Sequence, residues 1–339
     1  MREIMVSGYG GGETVSIAKY RFSDEFGNPE EVWRDHIEAP SYLGMGDDML
    51  FAISEREKTG TFYCYKKAGD GYSLADRMDF DGGALCHIHY STRHRTLYGA
   101  FYLTGHVVAA SVGDSRFTAV PSNFVMQPDR GGDLTRAHCC VPDPDEDRMF
   151  VCNIALDRVY IYKIDIENGA LRTNEGFPFL QLEKGEGPRH IRFHPRMDVA
   201  YVITEYSNKL FVLGYDRAGG KLNILQEIST LPSGFSGKSF CSTLAFSPDG
   251  RYVYAANRGA DTIGVFWAEE DGSLRKLQDY GCGGMWPRHI DVTRDGRYLM
   301  AANQESGDVA VIAVPEADGL LAGQVAVIPF TAPSFVAEI

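Results

Sequence analysis

Three segments of this chain are variations on one string: GPRHIRFHP (187–195), CSTLAFSPDGR (241–251) and WPRHIDVTRDGR (286–297). Each is followed by a second apolar run, AYVITE (200–205), VYAANR (253–258) or LMAANQ (299–304), and by a third, KLFVLGYD, TIGVFWAE or DVAVIAVP. A fourth follows two of them, LNILQEIST (222–230) and LRKLQDYG (274–281). Looser copies open upstream at PSYLGMGDDMLFAISE (40–55), CHIHYSTRHRTLYGAFY (86–102) and HCCVPDPDEDRMFVCNI (138–154). The runs are short, rich in Val, Tyr, Ile and Phe, and separated by Gly, Asp and Pro. That is strand-and-turn chemistry, and no segment carries the period of an amphipathic helix.

Aligning the first strand of each unit gives a column: Ser41, Cys86, His138, Arg189, Ser242 and Arg288, spaced 45, 52, 51, 53 and 46 residues apart. Four-stranded units repeating at this length predict an all-β fold, a β-propeller of antiparallel blades. The chain ends complete the count. IMVSGY (4–9) matches a second strand such as LFAISE, and APSFVAEI (332–339) matches the opening of APSYLGMG (39–46). PSFVAEI is therefore expected to supply the missing first strand of the N-terminal blade, which removes an exposed sheet edge. Ser334 becomes the seventh member of the column. The expectation is one domain, 1–339, of seven blades, with the ring closed by the C-terminal strand.

Composition bounds the function classes. The net charge of −13 opposes sequence-independent binding to a phosphate backbone. No apolar run reaches the ~18–20 residues that span a bilayer. The opening MREIMVSGYGGGE has no apolar stretch of signal-peptide length. The seven Cys (64, 86, 139, 140, 152, 241, 282) contain no CxxC pair, so reduced thiols and a cytoplasmic location are expected. Oligomeric state is not readable, since a propeller needs no partner to complete its core.

In a blade the innermost strand and its antiparallel neighbour bring the start of the first and the end of the second to one face. The sequence repeats this offset. Cys86 to Tyr102, His138 to Ile154, Arg189 to Glu205, Ser242 to Arg258 and Arg288 to Gln304 are each 16 apart, and Ser41 to Glu55 is 14. The titratable members of the two resulting rings are His138, Arg189, Arg258, Arg288, Glu55 and Glu205. Three Arg suit a carboxylate or phosphate, and a His with a Glu can exchange a proton near neutral pH. A small anionic ligand at the channel mouth is the expectation. The alternative is a structural ring of ion pairs in which Glu205 neutralises Arg189 and Arg258.

At these residues the sequence resembles the seven-bladed propeller lactonase family, which includes propeller-type 6-phosphogluconolactonases and carboxymuconate-lactonising enzymes. The likeness rests on the ordered set PSYL, GPRH, ANRG, WPRH and ANQ, close over 187–312 and looser over 1–160. The resemblance implies lactone chemistry, with His138, Arg189, Glu205 and Arg258 as catalytic residues. Arg288, Glu55, Tyr102, Arg136 and Gln304 are assigned to substrate binding. The implied substrate is a small sugar-phosphate or sugar-acid lactone such as 6-phosphogluconolactone, within carbohydrate metabolism, and the scheme needs no cofactor and no metal. The rival readings are a carboxymuconate-type cycloisomerase running the reverse type of chemistry, and a non-catalytic propeller that binds a ligand or a protein. The sequence departs from the family pattern in three places: Arg136 of TRAH stands where hydrolytic members often carry a histidine, AFYLTG (100–105) replaces ANYGGG, and Thr243 stands where an acidic residue is common.

Other motifs read as scaffold. GYGGGE (8–13) lacks the Lys and the strand–loop–helix context of a phosphate loop. His87 and His89 share a strand face but lie outside the column, too few for a zinc site. SPDGR (247–251) and TRDGR (293–297) are tight turns, and Asp157, Asp261 and Asp308 are expected as turn formers. Strand alternation is expected to point Cys139 away from His138.

Overall fold

The computed structural model describes residues 1–23, 25–46, 48–127, 134–315 and 318–339. Among these, every regular element is a strand, and no helix is present that could cross a membrane. The strands form seven antiparallel sheets. The first holds β1 (Arg2–Gly8), β2 (Ile17–Phe22) and β3 (Glu30–Asp35). The second holds β4 (Leu43–Met45), β5 (Met49–Glu55), β6 (Thr59–Ala68) and β7 (Gly71–Asp81). The third holds β8 (Leu85–Ser91), β9 (Thr96–Phe101), β10 (His106–Gly113) and β11 (Arg116–Val125). The fourth holds β12 (Ala137–Pro142), β13 (Arg148–Asn153), β14 (Arg158–Ile164), β15 (Leu171–Thr173) and β16 (Phe179–Gln181). The fifth holds β17 (Pro188–Phe193), β18 (Val199–Thr204), β19 (Lys209–Asp216) and β20 (Lys221–Ser229). The sixth holds β21 (Phe240–Phe246), β22 (Tyr252–Arg258), β23 (Thr262–Ala268) and β24 (Leu274–Gly281). The seventh holds β25 (Pro287–Val292), β26 (Tyr298–Asn303), β27 (Asp308–Ala313) and β28 (Gln324–Pro329). The last strand, β29 (Pro333–Glu338), joins the first sheet in the order β29-β1-β2-β3.

The fold is the seven-bladed β-propeller read from the repeat. One blade departs from four plain strands. In the fourth, β15 and β16 both pair with β14, because Asn174–Pro178 leaves the ladder as a turn held by Phe177 N–H to Asn174 O at 3.1 Å. Gly176 and Pro178 in that stretch favour the break.

Contacts group the chain into two compact units: Met1–Glu38 with His194–Gly214 and Ile224–Ile339, and Ala39–Phe193 with Tyr215–Asn223. In the first unit the closure pairs Ile4 with Glu338, Val6 with Val336 and Ser7 with Phe335. This satisfies the backbone groups that an edge strand would expose. Arg2 fastens the closure, reaching Glu338 at 2.9 Å and Asp295 with its other nitrogen, while its guanidinium lies over Phe26 and Tyr298. Beneath it Ile4, Val6 and Val336 pack with Phe22, Met300 and Val311. Successive residues of an inner strand face layers on opposite sides of the sheet, which is why β18, β22 and β26 are buried along their whole length.

A second device recurs between neighbouring blades. A fully buried Tyr in the second strand donates its hydroxyl to a glycine carbonyl in the outer turn of the next blade. In the first unit these are Tyr201 to Gly272 and Tyr254 to Gly319, each at 2.8 Å. In the second unit it is Tyr98 to Gly169, at 2.9 Å. All three glycines have positive φ (83°, 63° and 71°), a backbone state that a side chain would strain.

Two outcomes follow for the closing blade. Val336→Asp buries an unpaired carboxylate against Ile4 and Val6, and should lower unfolding free energy by at least about 3 kcal/mol in urea titration. Glu3 accepts Lys19 at 2.8 Å and Arg21 at 3.0 Å. Burial opposes its ionisation, but the two cations win and hold its carboxyl below the usual 4.5. An unfolded Glu3 takes up its proton near pH 4.5 while the folded one resists. Its contribution is therefore full above about pH 4.5 and disappears as pH falls further. Glu3→Gln should be less stable than the parent at pH 7, and the gap should close on acidification.

Candidate active site

The column found in the sequence corresponds to a repeated backbone irregularity. Where β12 pairs with β13, Ala137 opposes Asn153 and Cys139 opposes Cys152, so His138 is an extra residue bulged out of the ladder. Cys86 is the extra residue between Leu85 and His87, Arg288 between Pro287 and His289, and Ser334 between Pro333 and Phe335. Ser242 and Thr243 occupy the bulge of β21. A bulge re-aims the side chain it carries. Two residues before the column the chain turns through positive φ at Ala39 (45°), Ala84 (54°), Gly187 (67°), Trp286 (64°) and Ala332 (41°). Carbonyls of these residues then accept from the second-strand column: Ala39 from Glu55, Ala84 from Tyr102, Trp286 from Gln304 and Ala332 from Tyr9. The first and second columns thus meet at one end of each blade.

The aspartates expected as turn formers also hold this end together. Asp157 takes positive φ (51°) at its turn, and its carboxylate accepts Gly185 N–H at 2.9 Å and Gly187 N–H at 2.7 Å, fixing the loop that delivers Arg189. Asp261 does the same for the loop of Arg288, accepting Trp286 N–H at 2.8 Å and Gly259 N–H at 3.1 Å.

In the first unit Arg258 is 5% exposed. It donates to Phe240 O (3.2 Å) and Cys241 O (2.9 Å), stands 3.3 Å from the Glu205 carboxylate, and lies over the Trp286 ring. Arg288 lies over the Tyr9 ring with its guanidinium carbon 5.1 Å from the centroid. Gln304 sits beside them in the column, and its Oε1 has no hydrogen-bond partner among the described residues. Tyr9 and Trp286 were not among the expected site residues. The match of IMVSGY to LFAISE places Tyr9 at the position of Glu55, so the signal for it was present. Trp286 lies inside the WPRH motif.

In the second unit Arg136 donates to the Tyr102 hydroxyl at 2.9 Å and stacks over its ring at 4.9 Å. Tyr102 meets the His138 ring edge-on, with centroids 5.9 Å apart. His138 (5% exposed) and Arg189 (2%) are buried at the bulged end, and Glu55 ends β5 there. Below His138 lies a layer that the sequence reading missed. His190 is 5.2 Å from His138 and 5.3 Å from His87, ring to ring, and Cys139 Sγ is 3.6 Å from His87 Nε2. Burial pushes the His190 imidazole down to about 3, against the pull of Cys139. Burial likewise opposes ionisation of Cys139, but a hydrogen bond from Cys152 and the imidazoles of His87 and His190 hold its thiol well below the usual range. The bulge carries His138 out of the ladder, and the thiol–imidazole contacts of Cys139 run to His87 and His190.

Residues 3–338 match the family described as lactonase, 7-bladed beta-propeller. The chain belongs to this lactonase family. It is 27% identical over 307 residues to a 6-phosphogluconolactonase of Bacillus subtilis, covering 88% of this chain and 84% of that one. It is 30% identical over 316 residues to an uncharacterized protein of Staphylococcus epidermidis, covering 89% and 90%. Among solved structures, a periplasmic gluconolactonase of Pseudomonas aeruginosa superposes with a TM-score of 0.91 at 25% identity, covering 100% and 99% of the two chains. A protein from Lactobacillus plantarum gives 0.91 at 21% identity, covering 100% and 99%, and shares the fold. As a lactonase-family member the chain is matched to a small lactone substrate.

The Glu205–Arg258 pair generates a stability outcome of its own. Glu205→Ala removes the carboxylate 3.3 Å from a buried guanidinium and should cost about 3 kcal/mol in thermal or urea unfolding, whereas Glu205→Gln, which keeps an acceptor, should cost about 1 kcal/mol.

Proposed function

We propose that this lactonase-family protein hydrolyses a small anionic sugar lactone, of which 6-phosphogluconolactone is the leading candidate. The observation that carries the reading is the Glu205–Arg258 pair beside Arg288 and Gln304 at the bulged ends of the first unit's blades. A carboxylate held next to a buried guanidinium supplies a base and a charge stabiliser together. Arg288 takes the phosphate or carboxylate of the substrate, and Gln304 Oε1 accepts from a sugar hydroxyl. Tyr9 and Trp286 give flat apolar walls that keep both guanidinium planes in place.

The reaction needs a water to add to the lactone carbonyl, a passing oxyanion to be stabilised, and a proton to reach the ring oxygen as its bond to carbon breaks. Acid–base work takes the proton from water and delivers one to the leaving oxygen; the groups assigned to it are Glu205 in the first unit and His138 in the second. The charge stabilisers are Arg258 in the first unit and Arg189 in the second. Arg136, Tyr102 and Glu55 complete substrate binding next to His138. The Arg136–Tyr102 contact supports the departure from the family's histidine: a cation takes that place and extends the anion preference.

The assay is spontaneous-hydrolysis-corrected turnover on 6-phosphogluconolactone, gluconolactone and a carboxymuconate. We expect hydrolysis of the phosphorylated lactone, with His138→Ala and Glu205→Gln lowering kcat by ~10²–10⁴-fold. Arg258→Lys should lower it by ~10²–10³-fold, and Arg288→Ala should mainly raise KM. Turnover of the carboxymuconate alone would replace hydrolysis with lactonisation. Unchanged turnover in both His138→Ala and Glu205→Gln would remove the site.

A further inference from the structure

The lactone reading leaves one chemically capable cluster unused, in the second unit. His87 on β8, Cys139 on β12 and His190 on β17 come from three different blades, and their ligating atoms all lie within 4.8 Å of one another. Among the described residues it is the one group of three such side chains able to hold an ion together. All three are buried, at 3%, 0% and 6% exposure.

The spacing suits direct coordination. Metal bonds of ~2.3 Å to sulfur and ~2.0 Å to imidazole nitrogen put the two donors ~3.5 Å apart at a tetrahedral angle and ~3.7 Å apart at a trigonal one. Cys139 Sγ and His87 Nε2 are 3.6 Å apart. The rings are also held for the task. Tyr42 packs against His87 at 4.4 Å, centroid to centroid. The other nitrogen of His87, Nδ1, is met by Cys140, whose backbone N–H donates to it at 3.4 Å and whose Sγ lies 3.6 Å away, so the ring is oriented by the same strand that carries Cys139.

Donor type and charge choose the ion. A thiolate with two imidazoles is a soft set suited to d¹⁰ cations. One thiolate and two neutral imidazoles carry a charge of −1. Cu(I) leaves the buried site neutral and is content with three donors, whereas Zn(II) leaves a buried positive charge and seeks a fourth ligand. We propose that His87, Cys139 and His190 bind one Cu(I) ion. Binding replaces the Cys139 S–H bond with S–Cu and releases one proton, with no change of oxidation state. The site stands apart from the lactone reading: none of its three residues is assigned to that chemistry.

The test loads the anaerobic full-length protein with Cu(I) against a competing Cu(I) chelator, and separately with Zn(II), followed by metal counting and X-ray absorption. One Cu(I) per chain, coordinated by one sulfur and two nitrogens, is expected. Cys139→Ser and His87→Gln should each lower affinity at least tenfold, while Cys64→Ser, at a buried thiol of β6 that is not one of the three ligands, keeps it. Melting curves of the metal-free variants separate lost ligation from lost folding, and the absorption spectrum of the parent stands whether or not a variant folds. Copper at well under one per chain, retention unchanged in Cys139→Ser, or tighter binding of Zn(II) than of Cu(I) would each overturn the proposal.

Discussion

A four-stranded sheet has two apolar faces and cannot bury either alone. That need governs the structure. Within each unit, neighbouring blades supply the missing surfaces, as where Phe51, Phe62 and Phe80 pack with Leu85, Leu97 and Phe101. A propeller repeats one local solution, so the same residue types recur at the same depth. Packing alone would tolerate some slippage of one blade past the next. The hydroxyls of Tyr98, Tyr201 and Tyr254 limit it, since each must find a single carbonyl on the following blade. An unmade bond there would leave a buried polar group without a partner.

The chemistry sits where this regularity is interrupted. The bulges at Cys86, His138, Arg288 and Ser334, and the left-handed residues before Cys86, Arg288 and Ser334, set side chains at the blade ends rather than in the apolar layers. Asp157 and Asp261 tie the incoming loops to the preceding blade, so the position of Arg189 or Arg288 depends on a neighbour as well as on its own strand. Rigidity of this kind suits groups that must meet a developing charge without reorganising.

Much of this was legible in the sequence because the irregularities are themselves repeated. A bulge at the same place in each copy leaves the repeat spacing intact, so Arg258 and Glu205 fell in matching columns although the bulge was invisible. Closure by PSFVAEI was legible for the same reason. What escaped depended on the bulge directly. Strict alternation places His87 and Cys139 by parity within one strand, but an extra residue in each strand resets that parity, and their meeting with His190 involves three blades. Tyr9 escaped because its first-strand partner lies at the other end of the chain, where no fixed offset applies.

The pairing of β1 with β29 carries a consequence for how the protein is made. β1 is synthesised more than 300 residues before its partner β29, so the growing chain presents an open, apolar strand edge until β29 has been made. Ile339 N–H bonding to Glu3 O extends the seam beyond the paired strands. During synthesis the nascent chain is therefore exposed to wrong pairing along β1, and β29 is the latch that ends that exposure.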